Sequence, residues 1–148
     1  MNKRKSLKEL NLLDKFLFDE AMDDPENVKT MLDIILSQNT NLKQSPQTEK
    51  EQRTSTDNRQ IRLDVYAIDE DDVIYEVEAQ KENTHNLPKR SRLYQGIIDS
   101  KLLPPGVVDF NLLNEVLIVM ITPFDLFGYG LYRYTFQMRC EEVPELKL

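Results

Sequence analysis

The sequence has few or none of the features that several classes of protein depend on. It has one cysteine, Cys140, which excludes an intramolecular disulfide and favours a reducing cytoplasm as its compartment. It has one histidine, His85, which excludes a catalytic pair of histidines and is predicted to lie in a loop without a functional role. No run of about 18 apolar residues is present, so no transmembrane helix is expected. The apolar stretch after the basic N-terminus is broken by Asp14, Asp19 and Glu20, which argues against a secretory signal.

Positive charge is also in deficit, because the formal net charge is −7. The deficit is uneven along the chain. Residues 61–80 hold seven acidic residues and one basic residue, whereas residues 81–101 hold five basic residues and two acidic ones. An acidic pair of strands followed by a basic helix suits a metal site beside a phosphate-binding surface. The simpler alternative is two solvated faces of opposite sign.

The length of 148 residues, with 40% hydrophobic and 30% charged residues, indicates one globular domain spanning 1–148. Two amphipathic helices are predicted to open it. The first carries apolar residues at helical spacing from Leu13 to Ala21. The second has Asp24 as a capping residue and Pro25 at its first position, and its apolar stripe runs from Val28 to Leu36.

The middle of the chain predicts a β-hairpin. Residues 37–60 are polar and contain Pro46, which indicates either a long loop or a weak edge strand near 41–48. From Arg62 the apolar period becomes two, with Leu63, Val65 and Ala67 predicted on one face. The acidic residues 69–72 form the turn, and a second alternating run covers 73–80.

The last part of the chain predicts one helix and two strands. Asn86 and Pro88 signal a helix that continues to about Leu103. The apolar run in 115–122 is typical of a strand buried on both faces, and Leu131–Met138 is predicted to be the final strand. The order of elements predicts an α/β fold with a mixed central sheet flanked by helices.

Asp64 and Glu78 are the residues in this pattern that point to chemistry. If the hairpin turn centres on Asp71, positions 64 and 78 pair, and both carboxylates point the same way with Gln80 one step further along that face. Two like charges so placed repel unless a cation or a proton lies between them, and Mg²⁺ prefers oxygen ligands. The alternative is an exposed hairpin face on which acids happen to cluster.

Several segments resemble the recombination-promoting nuclease/transposase family. They occur in the family's order and cover most of the chain. They are Lys15–Phe18, Arg62–Ala67, Tyr75–Gln80, Leu87–Gln95, Thr122–Gly128 and Tyr134–Phe136. The resemblance implies a PD-(D/E)XK (restriction-endonuclease-like) core, in which Asp64 and Glu78 hold a divalent metal, Mg²⁺ or Mn²⁺, with the carbonyl of Ala79 as a further ligand. It also implies that Gln80 occupies the position of the lysine usual in the wider superfamily.

The substitution of Gln80 for lysine matters because glutamine can hydrogen-bond an attacking water but carries no charge. Lys81 is expected to face the other side of the strand, so Lys89 or Arg92 is the better candidate for a compensating cation. Glu20 is a candidate for an additional acid of the metal site. Relatives usually continue past the Tyr134–Phe136 segment, so the chain is expected to lack a C-terminal region that they have.

The predicted partner is DNA. Lys89, Arg90 and Arg92 at the start of the basic helix are predicted to bind phosphates, assisted by the helix N-terminal amides. Tyr66 either stacks on a base or sugar or covers the sheet, and Tyr94 is either part of the DNA surface or a core residue. The expected function is a Mg²⁺-dependent DNA endonuclease of recombination or transposition. A catalytically weak or inactive remnant that binds DNA or self-associates, for example as a homodimer, is the alternative, and an acidic adaptor is a third reading.

Overall fold

The computed structural model describes residues 11–52 and 61–147. These residues form a mixed α/β fold with a four-stranded sheet flanked by helices, which confirms the predicted fold class at this level. No helix among them is long and apolar enough to cross a membrane. The elements in chain order are α1 (Lys15–Met22), α2 (Pro25–Leu36), β1 (Gln47–Gln52), β2 (Ile61–Ile68), β3 (Ile74–Ala79), α3 (Leu87–Leu102), a short 3-10 helix (Phe110–Leu112) and β4 (Val116–Ile121).

The helices begin and end where local signals predicted. The Asp24 carboxylate accepts a hydrogen bond from the Glu26 amide (3.0 Å), and Pro25 is the first residue of α2. Ser37 closes α2 in a left-handed conformation with φ 58°. Pro88 lies in the first turn of α3, and α3 ends at Leu102, before Pro104.

The sheet has the strand order β1-β2-β3-β4. Strands β1, β2 and β3 are antiparallel neighbours, and β4 is parallel to β3. Val65 pairs with Val77, so the predicted hairpin centred on Asp71 is confirmed. Asp69 stabilises the turn, because its carboxylate accepts hydrogen bonds from the amides of Asp71 and Val73 and from the Tyr75 hydroxyl (2.6 Å).

A separate apolar core lies on each face of the sheet. On one face, residues of α1 and α2 pack on β2 and β3; the buried members are Phe18, Met22, Val28, Leu32, Val65, Ala67, Tyr75 and Val77. On the other face α3 packs on the sheet; the buried members there are Leu63, Tyr66, Ile74, Tyr94, Ile97 and Ile98. Strands β2 and β3 therefore lie in the middle of the sheet, between the two cores.

The placement of Leu63 corrects the predicted face assignment of β2. Leu63 packs with Tyr66 on the α3 side, whereas Val65 packs on the α1 and α2 side. The reason lies in the neighbouring strand, where Glu49 has a left-handed backbone with φ 50°. The paired residues on either side of it are Thr48 with Val65 and Lys50 with Leu63. A left-handed residue kinks its strand and increases the twist, so the alternation of β2 breaks at Asp64, the position facing Glu49.

Two further expectations about strands are wrong in part. The weak edge strand predicted near 41–48 exists as β1, but at Gln47–Gln52, and in the predicted range Leu42 makes only an isolated bridge to Asp69. Pro46 has no amide proton to donate, so the ladder begins only after it. Strand β4 was expected to be buried on both faces, yet all six of its residues are half-exposed. The reason is that β4 is an edge strand, since β3 is its only neighbour in the described sheet.

The predicted final strand at Leu131–Met138 is not formed. This segment is mostly exposed and has no ladder partner among the described residues. In the loop before this segment, the backbone amides bond to a side chain instead of to a neighbouring strand. The Asp125 carboxylate accepts hydrogen bonds from the amides of Phe127, Gly128 and Gly130 and from the Tyr134 hydroxyl. Side-chain hydrogen bonds of this kind compete with strand pairing for the backbone donors.

Candidate functional site

The candidate site lies where the ladder between β2 and β3 ends. The pair Val65–Val77 is the last one formed towards this end, and Asp64 and Glu78 occupy the next position on their respective strands. The Asp64 carboxylate accepts a hydrogen bond from the Ala79 amide at 3.2 Å. The side chain of Asp64 thus takes the place of a main-chain partner for β3, which holds its carboxylate between the two strands.

Helix α1 contributes a lysine to this position. The Lys15 Nζ lies 3.3 Å from the Asp64 Oδ1, and also contacts Asp19 at 3.1 Å and Glu49 at 3.3 Å. Burial lowers the pKa of Lys15, but the hydrogen bond to Asp19 and the charge of Asp64 raise it, and the net shift is upward. Lys15 is therefore a stable positive charge beside Asp64. The helical pattern of α1 did not predict this role, since nothing local tells which strand residue 15 reaches.

Glu78 faces α3, whereas Asp64 contacts Lys15 of α1. The two carboxylates therefore have basic partners from opposite faces of the sheet, rather than pointing the same way as predicted. Its side chain is 8% exposed, and its Oε2 accepts a hydrogen bond from the Arg90 guanidinium at 2.9 Å. Burial and the neighbouring Asp64 charge raise the pKa of Glu78, and this outweighs the opposing effects of Arg90, Tyr94 and Lys15. The charge of Asp64 thus disfavours ionisation of Glu78, and the charge of Arg90 favours it.

Glu76 is a third acid that the sequence analysis did not single out. It is fully buried, and neither of its carboxylate oxygens has a hydrogen-bond partner. Burial raises the pKa of Glu76 well above its usual value, and the charges of Glu78 and Asp64 raise it further. The available signal was its position two residues before Glu78, which puts both side chains on one face of β3, in a strand whose other residues are apolar or aromatic.

Gln80 lies at the margin of the site. Its side-chain amide donates a hydrogen bond to the Glu82 carbonyl at 2.7 Å, and its backbone amide donates to the Ile121 carbonyl at 2.9 Å. The C-terminal end of β4 therefore adjoins the site. Lys81 forms an ion pair with Asp14, the residue that precedes α1.

The three basic residues predicted to bind phosphate do not share one environment. Lys89 and Arg92 are exposed in the first turns of α3. Arg90 instead turns inward to Glu78 and lies 5.7 Å from the centre of the Tyr94 ring. Only Lys89 and Arg92 are thus open to an external ligand in this structure.

The remaining side chains considered from the sequence lie as follows. Tyr66 is buried, and the Lys50 Nζ lies 3.4 Å from the centre of its ring, so Tyr66 covers the sheet and its ring face is not open to a base. Tyr94 is buried in the α3-side core. Glu20 is exposed on α1. His85 is exposed, with φ 55°, in the loop before α3. Cys140 contacts Glu142 at 3.2 Å.

The donors suited to a divalent cation are two carboxylates. Over residues 11–52 and 61–147, no group of three or more histidine, cysteine, aspartate or glutamate side chains is placed to hold a metal. Asp64 and Glu78 nevertheless have the oxygen ligands that Mg²⁺ and Mn²⁺ prefer. The site contains three acidic residues, Asp64, Glu76 and Glu78, and two basic residues, Lys15 and Arg90. The oxygens of Glu76 have no hydrogen-bond partner, and its raised pKa shows that neither Lys15 nor Arg90 stabilises its charged form enough to offset burial. A cation bound by Asp64 and Glu78 would offset the excess of acidic over basic residues.

Comparison with known proteins finds no match to a family model, to a curated protein or to a solved structure.

Proposed function

We propose that this chain is a metal-dependent DNA endonuclease with a PD-(D/E)XK-like core. The observation that supports the proposal is that Asp64 and Glu78 occupy adjoining positions just past the last pair of the β2–β3 ladder, although Asp64 contacts Lys15 of α1 and Glu78 contacts Arg90 of α3. The charge of Asp64 also raises the pKa of Glu78. Carboxylates that repel in this way are the usual sign of a site that takes up a cation or a proton.

In the proposed reaction Asp64, Glu78 and the Ala79 carbonyl hold Mg²⁺ or Mn²⁺. A metal bound there would lower the pKa of a bound water and offset negative charge on the phosphate. The protein's own residues position the metal ligands and provide hydrogen bonds to the attacking water. Arg90 holds Glu78 through the 2.9 Å ion pair. The Gln80 side-chain amide, which donates to the Glu82 carbonyl, would have to leave that bond to hydrogen-bond the water.

Lys15 supplies the positive charge that Gln80 lacks. Lysine at position 80 would offset the charge that develops on the phosphate, and glutamine does not. The Lys15 ammonium, 3.3 Å from Asp64 and raised in pKa, is the nearest basic group to the first acid on the side opposite α3. This replaces the expectation that Lys89 or Arg92 fulfils that role, because both of these residues are exposed on α3.

Lys89 and Arg92 would instead contact the DNA backbone. They lie one turn apart at the N-terminal end of α3, where the amides add to the attraction for phosphate. With a net charge of −7, contact with DNA would be confined to this basic face, and affinity would fall steeply as salt is raised.

The test is cleavage of supercoiled plasmid in Mg²⁺ or Mn²⁺. We expect nicked product from the wild type and at least a hundredfold loss of rate for Asp64→Ala and Glu78→Gln. Asp71→Ala is the matched control, since Asp71 is an exposed acid in the turn of the same hairpin and should leave the rate unchanged. Equal nicking by wild type and Asp64→Ala would mean that the activity belongs to a contaminant.

The contribution of Lys15 is separated by a second pair of variants. Lys15→Met should lower the maximal rate about tenfold or more without raising the Mg²⁺ concentration needed for half-maximal rate, because the metal ligands remain. Lys29→Met, which removes the ion pair with Asp33 on α2, should be neutral. A rate unaffected by Lys15→Met would indicate that Lys89 or Arg92 of α3 supplies the positive charge that Gln80 lacks.

A second candidate is a DNA-binding module without catalysis. The observation that favours it is that each acid already has a basic partner, Lys15 on Asp64 and Arg90 on Glu78. Isothermal calorimetry distinguishes the two functions. Retained affinity for duplex DNA together with no heat of Mg²⁺ or Mn²⁺ binding at millimolar concentration would favour the binding module.

A further inference from the structure

Strand β4 presents one edge to β3 and leaves the other edge without a strand partner in the described sheet. The Glu115 carbonyl accepts from the Ile74 amide (2.8 Å), and the Ile121 carbonyl accepts from the Gln80 amide (2.9 Å). Because main-chain groups alternate in direction along a strand, the odd-numbered residues of β4 face β3. The N–H and C=O groups of Val116, Ile118 and Met120 therefore point outward.

This outer edge has none of the features that usually prevent a strand from pairing with another chain. The β4 sequence, Val116–Ile121, contains no charged residue, proline or glycine, and all six residues are half-exposed. Edge strands that remain unpaired are typically short, charged or interrupted by a bulge or proline. An uncharged apolar edge of this length favours a partner strand.

The chain on both sides of β4 is also exposed and apolar. Before the strand, Val108, Phe110 and Leu112 are 86%, 70% and 63% exposed. After it, Tyr129, Leu131, Tyr132, Phe136 and Met138 are exposed as well. Monomeric proteins rarely expose so many large apolar side chains in one part of the chain, and such surface is typical of a protein interface.

We propose that β4 pairs with β4 of a second copy of this chain, in antiparallel orientation about a twofold axis at Ile118. A twofold axis perpendicular to a strand reverses its direction, so the apolar segment before β4 in one copy meets the apolar segment after β4 in the other. The two flanks thereby cover each other. This inference is independent of the proposed nuclease activity.

The outward groups determine the register of this interface. Hydrogen bonds can form only between outward-facing residues, which are Val116, Ile118 and Met120. A symmetric register centred on Ile118 pairs Ile118 with itself and Val116 with Met120 of the second copy. Each hydrogen-bonded pair exchanges two bonds, so about six main-chain hydrogen bonds join the copies. A register centred on Leu117 or Val119 would pair only two of these three residues within the strands, and a register centred between two residues would leave all three unpaired.

The charges agree with antiparallel self-pairing. No charged side chain lies between Val116 and Phe124, so no like charges meet at the axis. Asp109 and Glu115 precede the strand, and Arg133 follows it. The carboxylate of Asp125 is already enclosed by its own loop. The acidic flank of one copy therefore approaches the flank of the other that carries Arg133, whose guanidinium also donates to the Ile35 carbonyl of its own α2 at 2.7 Å.

The first test compares two substitutions at Ile118 by sedimentation velocity. The wild type should be dimeric at micromolar concentration. Ile118→Pro removes an N–H that points away from β3, and it breaks no hydrogen bond to β3. The variant should therefore be monomeric and keep the native circular dichroism spectrum. Ile118→Ala keeps the N–H and should remain dimeric. A wild type that is monomeric up to about 100 µM would overturn the proposal, because an interface of this size is expected to be tighter.

Two further measurements hold even if Ile118→Pro fails to fold. Phe110→Ser, on the exposed flank, should raise the dimer Kd about tenfold or more, whereas Ile34→Ser, equally exposed on α2, should not. In amide hydrogen exchange, raising the protein concentration should slow exchange at Val116, Ile118 and Met120 but not at Leu117, Val119 and Ile121, which already bond to β3. Concentration-dependent protection without this alternation would exclude strand pairing.

Discussion

At the residue scale, Glu76 is the least expected feature of the molecule. Burying a carboxylate without a hydrogen-bond partner is costly, and natural structures contain few such groups. Here the cost is increased by Glu78 and Asp64, whose charges add to burial in raising the pKa of Glu76. The folded state therefore favours the protonated side chain, whereas the unfolded chain ionises at the ordinary pKa. Stability is present below that ordinary pKa and is lost as the pH rises above it.

Replacing Glu76 by glutamine should stabilise the protein. Glutamine has nearly the same volume and its amide is equally unpartnered, but it is neutral at every pH and needs no proton from solution to be buried. At pH 8 we expect the free energy of unfolding in urea to rise by about 1–3 kcal/mol, and by much less at about pH 4. Glu82→Gln, an exposed residue in the following loop, should change it by under about 0.5 kcal/mol. A destabilised Glu76→Gln would mean that the carboxylate has a stabilising partner, such as a bound cation.

At the element scale, local signals predicted much of the fold. The cap at Asp24, the proline at the start of α2 and the acidic turn at Asp71 act within a few residues, so each could be found in the sequence. The adjoining placement of positions 64 and 78, one step beyond the last pair Val65–Val77, followed from the turn. These signals therefore predicted the two acids of the candidate site as well as the hairpin that carries them.

The features that were missed depend on contacts distant in sequence. An apolar run predicts a strand but not whether it lies at the centre or edge of a sheet, so the exposure of β4 could not be seen. The face change between Leu63 and Val65 follows from the left-handed Glu49 on a different strand. The approach of Lys15 to Asp64 requires α1 to pack on the sheet. Alternation within one segment carries no information about these contacts.

The Asp125 loop gives a prediction at this scale. Hydrogen bonds from Tyr134 and from three backbone amides lower the pKa of Asp125 to about 2, from an ordinary value of 3.8. Because the pKa is lowered on folding, the stabilisation is complete above pH 4 and is lost as the pH falls towards 2. Asp125→Asn should lower the Tm at pH 7 by a few degrees and match the wild type at pH 2. Asp109→Asn, in the 3-10 helix region, should not abolish this acid-dependent loss. Parallel pH profiles for the wild type and Asp125→Asn would contradict the assignment.

At the scale of the whole molecule, the candidate site joins elements that are distant in the chain. Asp64 and Glu78 come from neighbouring strands, Lys15 from α1 on one face of the sheet, and Arg90 from α3 on the other. Such a constellation exists only in the folded state. A cation held there would bind the native protein and not the unfolded chain, so binding and global stability must be linked.

This linkage can be measured without any nuclease assay. A cation at one hundred times its Kd should stabilise the wild type by about 2.7 kcal/mol, which for a chain of this size raises the Tm by roughly 5–10 °C. We expect Mn²⁺ and Mg²⁺ to produce this shift in the wild type and in Asp71→Ala, whose acid lies at the far turn of the hairpin. Asp64→Ala and Glu78→Gln should lose it, because each removes one of only two side-chain ligands. An equal shift of the Tm in all four proteins would show that the ions bind nonspecifically. No shift in the wild type would show that no cation binds, so that Lys15 and Arg90 alone balance the charges of Asp64 and Glu78.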